Sequence, residues 1–456
     1  MFTLERRALP PLRNRQIFDF YWPLVLTSQM MTLAHPIINA ALGRSDDAIV
    51  QLAAYGVGFG LAVFLNSPLF PFQQIVATMG TGPGARRNLI RKGIGIGAFI
   101  CSLDLIIALS PWGDTLIMKL MGSTEPVAAM AQKLILVQSP IPLLLPLRSY
   151  YWGIVMRHRN TRIISQATGL RLATLSAIMF AFVGRGWLEP AVLGGASLTV
   201  AIFVEAIYSA WRARRLMNRN ASGINADEDE EIPWSKFFAF IGPLMISTIT
   251  WSAMRPIINA IVGRTADPDL AQGGFGFVFP LLILMASPLW ALQSTTLVLV
   301  RDRRDLRKIV RFASVTILTF VSLIAVWVWT PLRDILLLSV FSLEADKALY
   351  VTTAIMLIPY QPIPLGMRSV SQGFLMNRRR TGVIGSSSLV KTAIIMLLGF
   401  FAVWRDPTLN GALLGTLLMM LGGTLETVIV ASSARRVHFE LMEEADAEDQ
   451  SELRSK

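Results

Sequence analysis

Six ionisable residues lie inside long apolar runs of this chain, in pairs 220 residues apart: His35 with Arg255, Arg148 with Arg368, and Arg171 with Lys391. All six are cations or can become so. A charge in the middle of an apolar span costs at least a few kcal/mol, so each needs a partner, water or a task. In the first pair, His35-Pro-Ile-Ile-Asn39 and Arg255-Pro-Ile-Ile-Asn259 put an asparagine one helical turn from the cation, on the same face. The proline between them frees a backbone carbonyl, as expected of a polar cavity wall. Counting from Gly43 and Gly263 at 1.5 Å per residue sets this tier about 12 Å below the nearer membrane surface, too deep for comfortable snorkelling. His35 can equally be read as a neutral core histidine.

Arg148 and Arg368 follow proline-rich stretches, Pro140-Ile-Pro142 with Pro146, and Pro362-Ile-Pro364. Broken spans at matching positions of two halves are the best sequence pointer to a transport site, and backbone breaks at depth are tolerated only beside protein or water. This second tier lies nearer the opposite surface. For Arg171 and Lys391 two readings stay open: substrate ligands, or structural ion pairs with Glu205 and Glu426 on the following span of each half. Gln73, Gln293, Tyr150 and Tyr151 offer weaker donors. Asp19 and Asp104 are the other carboxylates that read as buried, and neither has an acidic mate at the 220-residue offset, so no coupling-ion site is evident. No Walker A, HExxH or GxSxG pattern and no His/Cys cluster occurs, so neither an enzyme nor a cofactor is expected. Cys101 is the single cysteine, which excludes a disulfide framework and a cysteine metal site.

Positioning these residues falls to helices in lipid. Of 456 residues, 53% are hydrophobic and 16% charged, and the mean hydropathy is +0.52. Spans of roughly 20 residues are expected near 17–42, 50–79, 92–111, 127–156, 163–184 and 189–211, then 237–262, 269–300, 309–331, 348–377, 382–404 and 410–434. The net charge of +12 is concentrated in alternate connections: Arg86, Arg87 and Arg91; Arg157 to Arg162; Arg212 to Arg219; Arg301 to Lys308; Arg378 to Arg380; Arg435 and Arg436. That alternation is the positive-inside signal, not a nucleic-acid surface, and it puts both termini in the cytoplasm.

The same 220-residue offset gives twelve identities between Phe18 and Asp47, and pairs Ser67-Pro68 with Ser287-Pro288, Gly153 with Gly373, and Arg159 with Arg379. The halves are copies in parallel orientation. The expected fold is therefore an all-α integral membrane protein of twelve transmembrane helices in two parallel six-helix repeats. Its parts are a first half over 1–215, a cytoplasmic linker over 216–236, a second half over 237–436, and an acidic tail over 437–456 expected to be irregular.

Two segments carry a family resemblance. Arg255-Pro-Ile-Ile-Asn259…Arg264 resembles the RPIVN…R segment of the progressive ankylosis (ANKH) family, within the MATE-like multidrug/oligosaccharidyl-lipid/polysaccharide exporter superfamily. Pro362-Ile-Pro364-Leu-Gly-Met-Arg368 through Ser386-Ser387-Ser388-Leu-Val-Lys391 resembles a second ANKH segment, with Lys391 where the family has arginine. The resemblance implies export of anions such as citrate, nucleoside triphosphate or pyrophosphate, in agreement with the sign of the buried charge. Expected substrate-binding residues are Arg255, Arg368, Arg148, His35, Asn259 and Asn39. Expected partners are a small anion and the bilayer, for a monomer in the plasma membrane, or the inner membrane of a Gram-negative cell. The competing readings are a flippase for an anionic lipid-linked substrate, MATE-type multidrug efflux, and a membrane scaffold without transport.

Overall fold

The computed structural model describes residues 12–42, 47–120, 124–219, 231–340 and 345–454. Gly43 and Arg44 of the repeat, and most of the expected linker, lie outside these residues. The first half runs through α1 (Asn14–Leu42), α2 (Ala48–Asn66), α3 (Phe72–Met79), α4 (Pro83–Leu109), α5 (Pro111–Thr115), α6 (Glu125–Gln138), α7 (Ile141–Arg157), α8 (Arg162–Phe182) and α9 (Pro190–Arg219). The second half repeats the series as α10 (Trp234–Val262), α11 (Pro268–Ala286), α12 (Ala291–Leu299), α13 (Arg303–Trp329), α14 (Leu332–Asp334), α15 (Ala345–Ile355), α16 (Pro362–Asn377), α17 (Gly382–Arg405) and α18 (Gly411–Arg454). Every helix thus has its counterpart nine places along. Several bounds, such as those of α1 and α10, differ by the same 220 residues as the sequence repeat.

Local chemistry sets these boundaries. Proline stands in the first turn of α4, α11 and α16, where its missing N–H costs nothing. The Asp302 side chain caps α13 by accepting from the Asp305 amide at 2.8 Å. Two residues past the end of both α7 and α16 stands an arginine in the left-handed region, Arg159 at φ 56° and Arg379 at φ 58°. The next amide closes each cap: Asn160 N–H to the Val155 carbonyl at 3.1 Å, and Arg380 N–H to that of Leu375 at 2.8 Å.

Nine helical segments among the described residues are long and apolar enough to span a membrane, and two bent pairs raise the number to eleven. The pairs are Glu125–Gln138 with Ile141–Arg157, bent by 41°, and Ala348–Tyr360 with Pro362–Asn377, bent by 40°. These are the two proline-rich spans. The expected twelve is approached rather than matched, because α1 falls short in apolarity. Its 29 residues, about 43 Å of helix, are nonetheless long enough, and its counterpart α10 qualifies. One expectation is corrected: α18 stays helical through the acidic stretch to Arg454 instead of giving way to an irregular tail.

Packing between the halves is uneven. At the end carrying the arginine-rich connections, hereafter the basic end, one buried cluster draws on both halves, including Phe20, Ile75, Val76, Phe237, Phe240, Leu299 and Leu375. A second joint cluster at mid-depth seats Tyr21 and Val25 of α1 against Leu289, Leu292 and Leu365. Towards the other end the remaining clusters of described residues each belong to one half alone. Two crossings mark the junction. The Thr248 hydroxyl of α10 lies 2.8 Å from the Ser67 carbonyl oxygen, and Gln29 Nε2 of α1 donates to Ser287 Oγ at 2.9 Å. Ser67 and Ser287 occupy equivalent breaks after α2 and α11, so the halves meet about an approximate two-fold relation.

Candidate functional site

The buried charges assemble into two matching clusters. In the first, Glu205 of α9 is fully buried and receives Arg148 Nη1 of α7 at 3.2 Å, Arg171 Nη1 of α8 at 3.5 Å and the Thr168 hydroxyl of α8 at 3.0 Å. In the second, Glu426 of α18 receives Arg368 Nη1 of α16 at 2.6 Å, Lys391 Nζ of α17 at 2.8 Å and the Ser388 hydroxyl at 2.8 Å. Each cluster is carried by the last three helices of its half. The bend before α7 and before α16 sets the direction in which Arg148 and Arg368 leave the broken span.

The arrangement departs from two separate uses of the cations. Arg148 and Arg368, expected to face a substrate path, share their carboxylate with Arg171 and Lys391, expected to be its partners. Two fixed cations around one carboxylate leave one positive charge per cluster without a counterion among the described residues. Arg148, Arg171 and Arg368 also keep a buried Nε–H with no partner among the described residues. Such groups are costly unless something accepts from them. Arg148 lies with its guanidinium 4.6 Å from the centre of the Trp152 ring, a cation–π contact that offsets part of the excess charge.

The clusters differ in access. A cavity of about 40 Å³, room for a water or two, adjoins the second one and is lined by Arg368 and Lys391 together with Trp251, Trp290 and Gln361. Trp251 and Trp290 stand edge to face with ring centroids 5.6 Å apart, and Gln361 Oε1 is buried without a partner among the described residues. The Arg368 side chain is 14% exposed, against 9% for its counterpart Arg148 in the first cluster.

The His35 and Arg255 tier is also placed. His35 packs within the first half, its ring 4.4 Å from that of Phe59, with Nδ1 3.2 Å from the Tyr55 hydroxyl. Arg255 is exposed, 5.4 Å from the Phe279 ring, and has no ion pair among the described residues. Phe59 and Phe279 are themselves 220 residues apart, so one aromatic seat holds a histidine in one half and an arginine in the other. Asn39 is exposed, while Asn259 is half-buried with Oδ1 unpartnered among the described residues. Sequence reasoning passed over Thr168, Ser388, Phe59 and Phe279. The repeat offset pairs a hydroxyl with a hydroxyl and a phenylalanine with a phenylalanine at these positions, and was the available signal.

The two remaining carboxylates separate. Asp19 is not buried: it is about half exposed and near Arg15 and Arg162, at 3.9 and 3.7 Å. Asp104 is 1% exposed, and neither carboxylate oxygen has a partner among the described residues.

Comparison with known proteins agrees with this architecture. The family model of the progressive ankylosis protein (ANKH) matches residues 14–274, more than half of the chain. The chain belongs to the ANKH family. The match includes Arg255 to Arg264 but ends before the Pro362 to Lys391 segment. Solved structures with the same fold include the eukaryotic MATE transporter AtDTX14, with a TM-score of 0.70 at 13% identity over 92% of this chain and 97% of that one. An outward-facing multidrug-resistance MATE transporter of the MOP superfamily gives 0.66 at 14% identity, over 94% and 96%. A MOP superfamily transporter from Pyrococcus furiosus, for which reverse polarity of the binding pocket suggests a different function, gives 0.65 at 15% identity, over 92% and 95%. This ANKH-family chain thus has the fold of these MATE structures, with nine to eleven candidate membrane spans among its described residues.

Proposed function

We propose that the protein exports small organic or phosphorylated anions of the citrate, ATP or pyrophosphate class by alternating access between its two halves. The observation that carries this reading is the surplus cation in each buried cluster, together with the open guanidinium of Arg255. On its way out an anion would first exchange with Glu426 for the donors of Arg368 and Lys391, so that water is replaced by charge-assisted hydrogen bonds instead of being lost outright. It would then meet Arg255 and Asn259 nearer the outer surface. His35 and Asn39, with the Glu205 cluster, would form the corresponding wall of the first half. The Pyrococcus neighbour, with its reverse-polarity pocket, is consistent with this fold accepting unlike pockets.

The basic end is assigned to the cytoplasm, with both termini there, in the plasma membrane and as a monomer. The halves share their packing at that end, which supports reading the described state as one open to the outside. Uptake of labelled citrate, ATP and pyrophosphate into proteoliposomes tests the proposal directly. Wild type should carry at least one of them, and Arg255→Ala and Arg368→Ala should each lower its flux at least tenfold. Unchanged flux in both variants would remove the site assignment. No flux of any of the three would favour a flippase for an anionic lipid-linked substrate.

A further inference from the structure

A cavity at the basic end lies away from the charged clusters, in the crevice between the two halves. It measures about 690 Å³ and runs between the segment entering α1, at Leu12 and Arg13, and the start of α13, at Lys308, Arg311, Phe312 and Val315. On α13 those residues follow the spacing i, i+3, i+4 and i+7, one face of a helix. The two cations come first and the two apolar residues follow deeper, with Val315 about 10 Å along the helix from Lys308. Arg13 and Arg311 are exposed, and Val315 is 60% exposed. Lys308 Nζ donates to the Leu12 carbonyl at 2.8 Å, so the groove sits on a hydrogen bond that joins the halves.

We propose that this groove seats an anionic glycerophospholipid of the leaflet at the basic end. Its phosphate lies among Arg13, Lys308 and Arg311, and one acyl chain lies along Phe312 and Val315. Charge complementarity selects the occupant: three cations at headgroup depth match an anionic headgroup, and basic pockets between membrane helices bind such headgroups. The apolar lower wall matches an acyl chain and gives a soluble phosphate nothing. A lipid held by Arg13 of one half and Arg311 of the other also braces the shared packing at the basic end, which must part if access alternates as proposed.

The test is native mass spectrometry of the full-length protein purified in detergent and titrated with phosphatidylglycerol or phosphatidylcholine. Wild type should retain phosphatidylglycerol in clear preference. Arg13→Gln and Arg311→Gln should each weaken that preference about fivefold, the effect of one basic residue near a lipid surface. The double variant should show almost none. Both arginines are exposed, so neither change empties a packed site, and Arg435→Gln with Arg436→Gln should leave the preference intact as a control for general basic charge. Equal retention of the two lipids by wild type, or an unaltered preference in the double variant, overturns the proposal. So does displacement by glycerol phosphate as effective as by phosphatidylglycerol, since the groove would then bind a free anion.

Discussion

Glu426 is held by three donors while two cations compete for it, which makes its carboxylate the internal stand-in for a bound anion. Replacing it with glutamine keeps the shape and removes the competing charge. Glu426→Gln is expected to tighten equilibrium binding of the transported anion about tenfold, a gain of about 1.4 kcal/mol, and to slow its release. Binding and efflux of the same labelled anion would measure this, and weaker binding in the variant would contradict the exchange. Truncation has another consequence. Glu205→Ala leaves Arg148 and Arg171 buried with no carboxylate between them, a loss of about 3–5 kcal/mol that thermal unfolding in detergent should register. Arg148→Ala should cost less, because Glu205 keeps Arg171.

At the scale of elements, two glycines explain how the broken spans lie against the helices before them. A methyl group on Gly153 of α7 would come within 2.6 Å of Val76 Cβ and 2.8 Å of the Gln73 carbonyl oxygen. On Gly373 of α16 it would come within 2.3 Å of the Gln293 carbonyl oxygen. In both cases the methyl group would meet a backbone carbonyl, of Gln73 or of its repeat counterpart Gln293, which no side-chain rotation moves. Gly373→Ala should destabilise the protein by about 1–3 kcal/mol and displace Arg368 five residues earlier on the same helix. A melting temperature equal to wild type would contradict this close approach. The Gly153/Gly373 and Gln73/Gln293 identities were visible as repeat matches, but only the contact explains the glycines. The tail of α18 was read less well. Its acidic run gives no apolar periodicity from which to infer a helix, yet the helix entering it continues to Arg454.

At the scale of the whole molecule, shared packing at the basic end and separate packing at the other make a wedge. Access should be one-sided. In a Cys101→Ser background, Asn39→Cys and Asn259→Cys should react with a membrane-impermeant maleimide added from the outside. Leu299→Cys, 1% exposed within the shared cluster, should be protected from both sides. Labelling of the two asparagine positions only from the cytoplasmic side would reverse the assigned orientation.

The sequence alone determined what depends on local composition and on self-comparison: helices in lipid, two copies in series, broken spans at the proline-rich stretches, and positive buried charge. Hydropathy runs, proline and the 220-residue offset are properties of neighbouring or aligned residues and need no packing to be read. It also proposed the Arg171 to Glu205 and Lys391 to Glu426 contacts, because adjacent spans of similar depth must meet. Only the tertiary structure decided that Arg148 and Arg368 reach the same two carboxylates, across 57 and 58 residues of chain. That choice rests on how each helix is rotated about its axis once packed. The cation in each pair that looked free and the one that looked paired were distinguished by sequence position, and the fold gives both the same partner.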